Sequence, residues 1–145
     1  MLKKSLIIAG LFILAATVLV QAAQEIKFTT ALRNCSPFSS NDNMQMLNTT
    51  VQSSKRISGR DGDKCVYSEN VSFMGIESNV VCKFTQAQAD ELASVIDAYE
   101  LVQQYSGEAP NFSSLDTAQT NPVSKVWGKY MQDSNVCTIT TNQPE

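Results

Sequence analysis

Three consecutive stretches, Thr49–Gly59, Lys64–Phe73 and Ile76–Phe84, alternate in hydrophobicity with a period of two and are separated only by short turn sequences. Arg60-Asp61-Gly62 reads as a three-residue hairpin loop with Gly62 in the left-handed position, which sets Ile57 opposite Cys65 and Val51 opposite Val71. Met74-Gly75 reads as a two-residue loop, which sets Cys65 opposite Phe84 and Tyr67 opposite Cys82. Cys65, Tyr67, Val71 and Phe73 then share a face with Ile76, Val80, Cys82 and Phe84. A slip of one residue in either hairpin would turn an apolar set toward water, so turn chemistry and periodicity constrain one another. This stretch demands an antiparallel meander with one buried face.

The same register limits the disulfides. The chain has four cysteines, Cys35, Cys65, Cys82 and Cys137, with no C-x₂₋₄-C pair of the kind that zinc sites use. An even number points to two disulfides. Cys65 and Cys82 are diagonal neighbours in the meander, at a Cα separation of about 7–8 Å, beyond ordinary disulfide reach. Each is therefore expected to bond to Cys35 or Cys137. We carry forward Cys35–Cys65 with Cys82–Cys137, although the spacing alone does not separate it from the crossed pattern.

Helices flank the meander. Phe28 and Leu32 fit a short helix over 25–34, which ends near Cys35 because Ser36 precedes Pro37. Residues 36–48, rich in Ser and Asn, read as a loop. Thr85 with Gln88 three residues on forms a capping box, followed by the stripe Leu92, Val95, Ile96, Tyr99 and Val102. After a polar link over 106–121, with one helical turn near Leu115, Asn121-Pro122 starts another helix. Its stripe is Val123, Val126, Trp127, Tyr130 and Met131, and the tail beyond Cys137 reads as loose. The expected fold is α+β: a three-stranded antiparallel meander with helices packed on one face, in the order α-β-β-β-α-α, with two disulfides.

The amino terminus carries an export pattern. Lys3 and Lys4 precede an uncharged, mostly apolar run from Leu6 to Val20, and Val20-Gln21-Ala22 supplies small residues before a cleavage point. The run is short for a spanning helix, which needs about 20 apolar residues. Residues 1–22 therefore read as a signal peptide, with membrane contact only through this segment before cleavage. Residues 23–145 read as a single disulfide-stapled domain in a secreted or periplasmic setting, where such bonds persist. Loss of Lys3 and Lys4 takes the formal charge from −3 to −5, which argues against nucleic acid as a partner.

Chemistry is sparse. There is no histidine, which excludes Ser-His-Asp and Cys-His mechanisms and His-ligated zinc. Asp61-Gly62-Asp63 lacks the closing Glu of a calcium loop, is flanked by Arg60 and Lys64, and reads as a turn; Asn41-Asp42-Asn43 reads likewise. Met44 and Met46 without histidine make a poor copper site. Asp97 and Glu100 are neighbours on the second helix but lie off its apolar stripe, so they read as a solvated face. Trp127 reads as core packing, with a ligand platform as its other use. No Ser-x-x-Lys pair occurs. Asn34, Asn48, Asn70 and Asn111 begin Asn-x-Ser/Thr sequences, which matter only in a glycosylating pathway.

The reading is therefore an exported binding or structural module, without catalytic residues, metal or cofactor, that meets an unidentified protein or glycan. Its candidate binding patch is Lys55, Arg56, Arg60 and Lys64, collected on the first hairpin at a sheet edge. Two other classes stay open: a small secreted hydrolase using carboxylates or serine, and a secreted inhibitor or effector acting on a partner protein.

Overall fold

A computed structural model describes residues 27–46, 48–106 and 121–142 of the chain. The expected signal segment 1–22, the turn near Leu115 and Asn111 lie outside these residues. Met74 and Gly75 both take positive φ, 51° and 80°, as a tight two-residue hairpin loop requires. They join β3 (Lys64–Phe73) to β4 (Ile76–Phe84), with Cys65 opposite Phe84 and Tyr67 opposite Cys82. This is the expected register.

The first hairpin differs in detail. β2 runs over Thr49–Asp61, and the loop to β3 is Gly62-Asp63, with Gly62 at φ 64°. A bulge leaves Ser58 between the pairs Ile57↔Tyr67 and Gly59↔Val66. Gly59 makes the bulge possible, since its φ of 112° is open to a residue without a Cβ. Beyond the bulge the register is two residues from the expected one, with Ser53 rather than Val51 opposite Val71. A shift of two preserves which face each side chain occupies, and Ile57, Cys65, Tyr67, Val80, Cys82 and Phe84 are all buried.

Two further strands extend the meander to five, in the spatial order β1-β2-β3-β4-β5, every neighbour antiparallel. β1 (Phe38–Met46) occupies the segment expected as a loop. Its residues are too polar to give an apolar alternation, yet β2 presents a long outer edge, and β1 pairs with it from Phe38↔Ile57 to Met46↔Thr49. β5 (Cys137–Asn142) replaces the expected loose tail: Cys137 faces Cys82 and Ile139 faces Val80. The order is α-β-β-β-β-α-α-β rather than α-β-β-β-α-α, and the α+β class stands.

The helices form as their local chemistry requires. α1 (Phe28–Asn34) closes with Cys35 in the left-handed region at φ 50°, where the Cys35 and Ser36 amides reach Leu32 and Ala31 carbonyls. At the start of α2 (Gln86–Ser106), the Gln88 amide donates to Thr85 Oγ1 at 3.3 Å, and the Thr85 amide donates to Gln88 Oε1 at 2.9 Å. α3 (Pro122–Met131) begins under the Asn121 side chain, which accepts from the Val123 amide at 2.8 Å. α2 buries Ala89, Leu92 and Ala93 but outruns the core, so Leu101, Val102 and Tyr105 are exposed, and the expected stripe loses its last member to solvent.

Both disulfides follow the carried pattern. Cys35–Cys65 ties α1 to β3 at a Cα separation of 5.5 Å, and Cys82–Cys137 joins directly opposed residues of β4 and β5 at 4.1 Å. Disulfides of this kind fit an oxidising compartment. No helix among the described residues is long and apolar enough to cross a membrane.

Candidate functional site

Strand alternation arranges the helix-side face of the sheet in rows. The first, Phe38–Ile57–Tyr67–Cys82–Cys137, is apolar and lies under the helices; the second is Ser40–Lys55–Glu69–Val80–Ile139. Asp42 and Ser53 head the third row. The change from apolar to polar occurs within one step along the strands, and a cleft of about 670 Å³ opens there between sheet and helices.

Aromatic side chains wall this cleft. Phe28 of α1 packs on Phe38 and Tyr67, with ring centroids 5.4 and 5.9 Å apart. Trp127 of α3 sits 5.2 Å from Tyr67 and 6.0 Å from Phe84. Ile96, Tyr99 and Met131 complete the apolar side. Trp127 thus serves both of its readings, packing against the core on one side and lining the cleft on the other.

The floor is polar and mostly acidic. The Lys55 ammonium lies 3.3 Å from Asp42, although the register partner of Lys55 is Glu69. Glu69 accepts hydrogen bonds from Ser53 Oγ at 2.6 Å and from the Tyr67 hydroxyl at 2.8 Å. Half-buried, it has no ion pair among the described residues. Burial pushes the Tyr67 phenol far up, and the negative charge of Glu69, its hydrogen bond and the charge of Asp42 push the same way. Glu100 stands at the rim. The lining carries three carboxylates against one ammonium.

The four cations of the expected patch do not converge. β2 lies inside the sheet, because β1 covers its outer edge, so the expectation of an edge hairpin fails. Alternation and the Ser58 bulge divide the four between faces: Lys55 and Arg60 on the helix side, Arg56 and Lys64 on the opposite side. Only Lys55 reaches the cleft. Arg60 is drawn to the start of α2, where it donates to Gln86 Oε1 at 2.8 Å.

Other expected features have structural roles. Asp97 is less solvated than expected, because it accepts from Lys27 and Thr29 at 2.8 Å each and from Arg33 at 2.6 Å, pinning α1 to α2. Partial burial raises its pKa, but the hydrogen bonds from Lys27, Arg33 and Thr29 outweigh this and hold it at about 2. Glu100 joins the same network through Lys27 at 2.8 Å. Asp61 is paired with Lys83 at 2.6 Å, and Asn41-Asp42-Asn43 is strand rather than turn. Met44 is exposed. No group of three or more metal-ligating side chains occurs among the described residues.

Sequence reasoning missed Asp42, Ser53, Tyr67 and Glu69 as a group. One signal was present: Glu69 interrupts the apolar set Cys65, Tyr67, Val71 and Phe73, of which Cys65 and Tyr67 are buried and Val71 is half-buried. A charge at a core-facing strand position marks either a pairing partner or a cleft. Comparison of the chain with protein-family models, curated proteins and solved structures returns no match.

Proposed function

We propose that the chain is an exported binding module whose cleft takes an apolar ligand carrying a positive charge. One observation carries the reading: Glu69 is half-buried, fixed by two hydroxyl donors, and faces an aromatic-walled cleft with no counter-cation of its own. A carboxylate held in that way gains most from a cation that arrives with the ligand, because desolvation strengthens the pair and the hydroxyl donors already orient it. Trp127 and Tyr99 supply faces for the apolar part and for cation–π contact. A binding role is favoured over hydrolysis by the same groups. The raised pKa of the buried Tyr67 phenol keeps it protonated, and the carboxylate beside Ser53 is already held by two hydroxyl donors, so the phenol supplies no base for activating a hydroxyl.

Trp127 is the only tryptophan, so its emission reports on the cleft directly. Titration with octylammonium is expected to shift the emission saturably, while octanoate at the same concentrations leaves it unchanged. Glu69→Gln is expected to weaken octylammonium by about tenfold, equivalent to about 1.4 kcal/mol. Equal response to both ions, or response to neither, would refute the proposal.

A further inference from the structure

We infer that the physiological ligand is an extended polypeptide segment that pairs with the outer edge of β1 and places alternate basic and apolar side chains in the cleft. The inference rests on the cleft reading above and adds an independent observation. β1 is an edge strand of nine residues whose outer side receives no strand among the described residues. No hydrogen bond from another described residue reaches its outer backbone groups. In such a strand every second residue turns its N–H and C=O outward, a template for strand addition. Edges are usually blunted by lysine, proline or an inward charge. β1 (FSSNDNMQM) has neither lysine nor proline, and its one charge, Asp42, faces the cleft, where it disfavours an acidic or apolar strand and admits a basic one.

The edge and the cleft are continuous. Phe38, Ser40 and Asp42, the inward-facing residues of β1, are also cleft lining. A strand added beside β1 continues the sheet's rows by one more position, so its inward side chains lie next to Phe38, Ser40 and Asp42. An apolar residue meets Phe38, and a basic one meets Asp42, with Glu69 two strands further in. Backbone pairing supplies affinity, and the alternating pockets supply selectivity. β5, the other edge, has six residues, none of which lines the cleft.

The test uses the heptapeptide acetyl-Thr-Val-Thr-Lys-Thr-Lys-Thr-amide, whose Val and last Lys are spaced as Phe38 and Asp42 are, read by Trp127 emission and by hydrogen exchange at β1 amides. Two analogues carry N-methyl groups at either the odd or the even inner positions. Strand pairing uses one parity only, so one analogue is expected to bind like the parent and the other to lose about tenfold or more. The outward amides of β1 are expected to exchange more slowly with the parent bound. Exchanging both peptide lysines for glutamate is expected to abolish binding. Equal binding by the two N-methyl series overturns edge pairing, as does a bound peptide that leaves β1 exchange unchanged. Octylammonium is run in parallel. If it binds and the peptide does not, edge pairing falls while the cleft reading survives; if neither binds, both fall.

Discussion

Tyr67 and Glu69, two residues apart on one face of β3, are joined by a hydrogen bond of 2.8 Å from the phenol to the carboxylate. Tyr67 is fully buried, and its hydroxyl reaches Glu69 at the cleft floor. One side chain therefore couples the stability of the sheet to the orientation of the proposed ligand-binding carboxylate. Tyr67→Phe keeps the ring and removes the donor. The expected loss is about 1–2 kcal/mol in urea unfolding, and octylammonium binding should weaken by less than in Glu69→Gln, because Ser53 still holds Glu69. A Tyr67→Phe protein with unchanged stability would show that the hydrogen bond contributes nothing net.

Acid should loosen the α1–α2 junction within a defined window. The carboxyl of Asp97 sits at about 2 in the folded chain, against an ordinary value of 3.8. A depressed folded value means that its contribution is complete above about pH 4 and disappears as pH falls through 2. Because Asp97 is about a third exposed, screening reduces the contribution to about 1 kcal/mol. Asp97→Asn should be less stable than the parent at about pH 6 by that amount, and the two should converge as pH falls below about 2. Thermal melts across this range measure it, and a constant difference between the two proteins would refute it.

The β3–β4 loop carries a correctable defect. Met74 holds φ 51° with its side chain largely in water, a conformation that costs an L-residue about 1–2 kcal/mol and that Asn tolerates better. Met74→Asn should raise stability by about 0.5–1 kcal/mol without moving the register. Denaturant midpoints check the first claim, and an unchanged Tyr67↔Cys82 cross-strand contact by NMR checks the second.

Removal of the Cys82–Cys137 bond as a double alanine variant should cost about 2–4 kcal/mol, in line with a long closed loop. The loss should be concentrated at β5, which has only six residues and exposes all but Cys137. Hydrogen exchange should reveal β5 amides opening well before those of β2 and β3. Uniform exchange across the sheet would contradict this.

The features legible in the sequence are those decided by near neighbours. Thr85 and Gln88 cap α2, and Asn121-Pro122 opens α3, because capping is settled within four residues. The β3–β4 register follows from one loop and one alternation. β1 is not legible, because Ser39, Asn41 and Asn43 alternate with Ser40 and Asp42, polar against polar, and only the presence of β2 makes the segment a strand. β5 depends in the same way on Cys82 and Val80. The cleft is hidden for a related reason: Glu69 marks an interruption, but Asp42 and Trp127, which give it meaning, come from segments whose placement is tertiary. Lys55, Arg56, Arg60 and Lys64 do not converge because proximity within a hairpin is not proximity on a face.

The two disulfides close loops that follow one another along the chain, 35 to 65 and then 82 to 137, without overlap. Each cysteine is bonded to its immediate neighbour among the four. A chain that meets an oxidant from its amino end therefore presents the first pair together before the third cysteine arrives, and a bond made at that moment is already the native one. The third then has a single free partner left. Assembly in this order needs no reshuffling, because the pair that emerges first is also the one that the folded sheet retains.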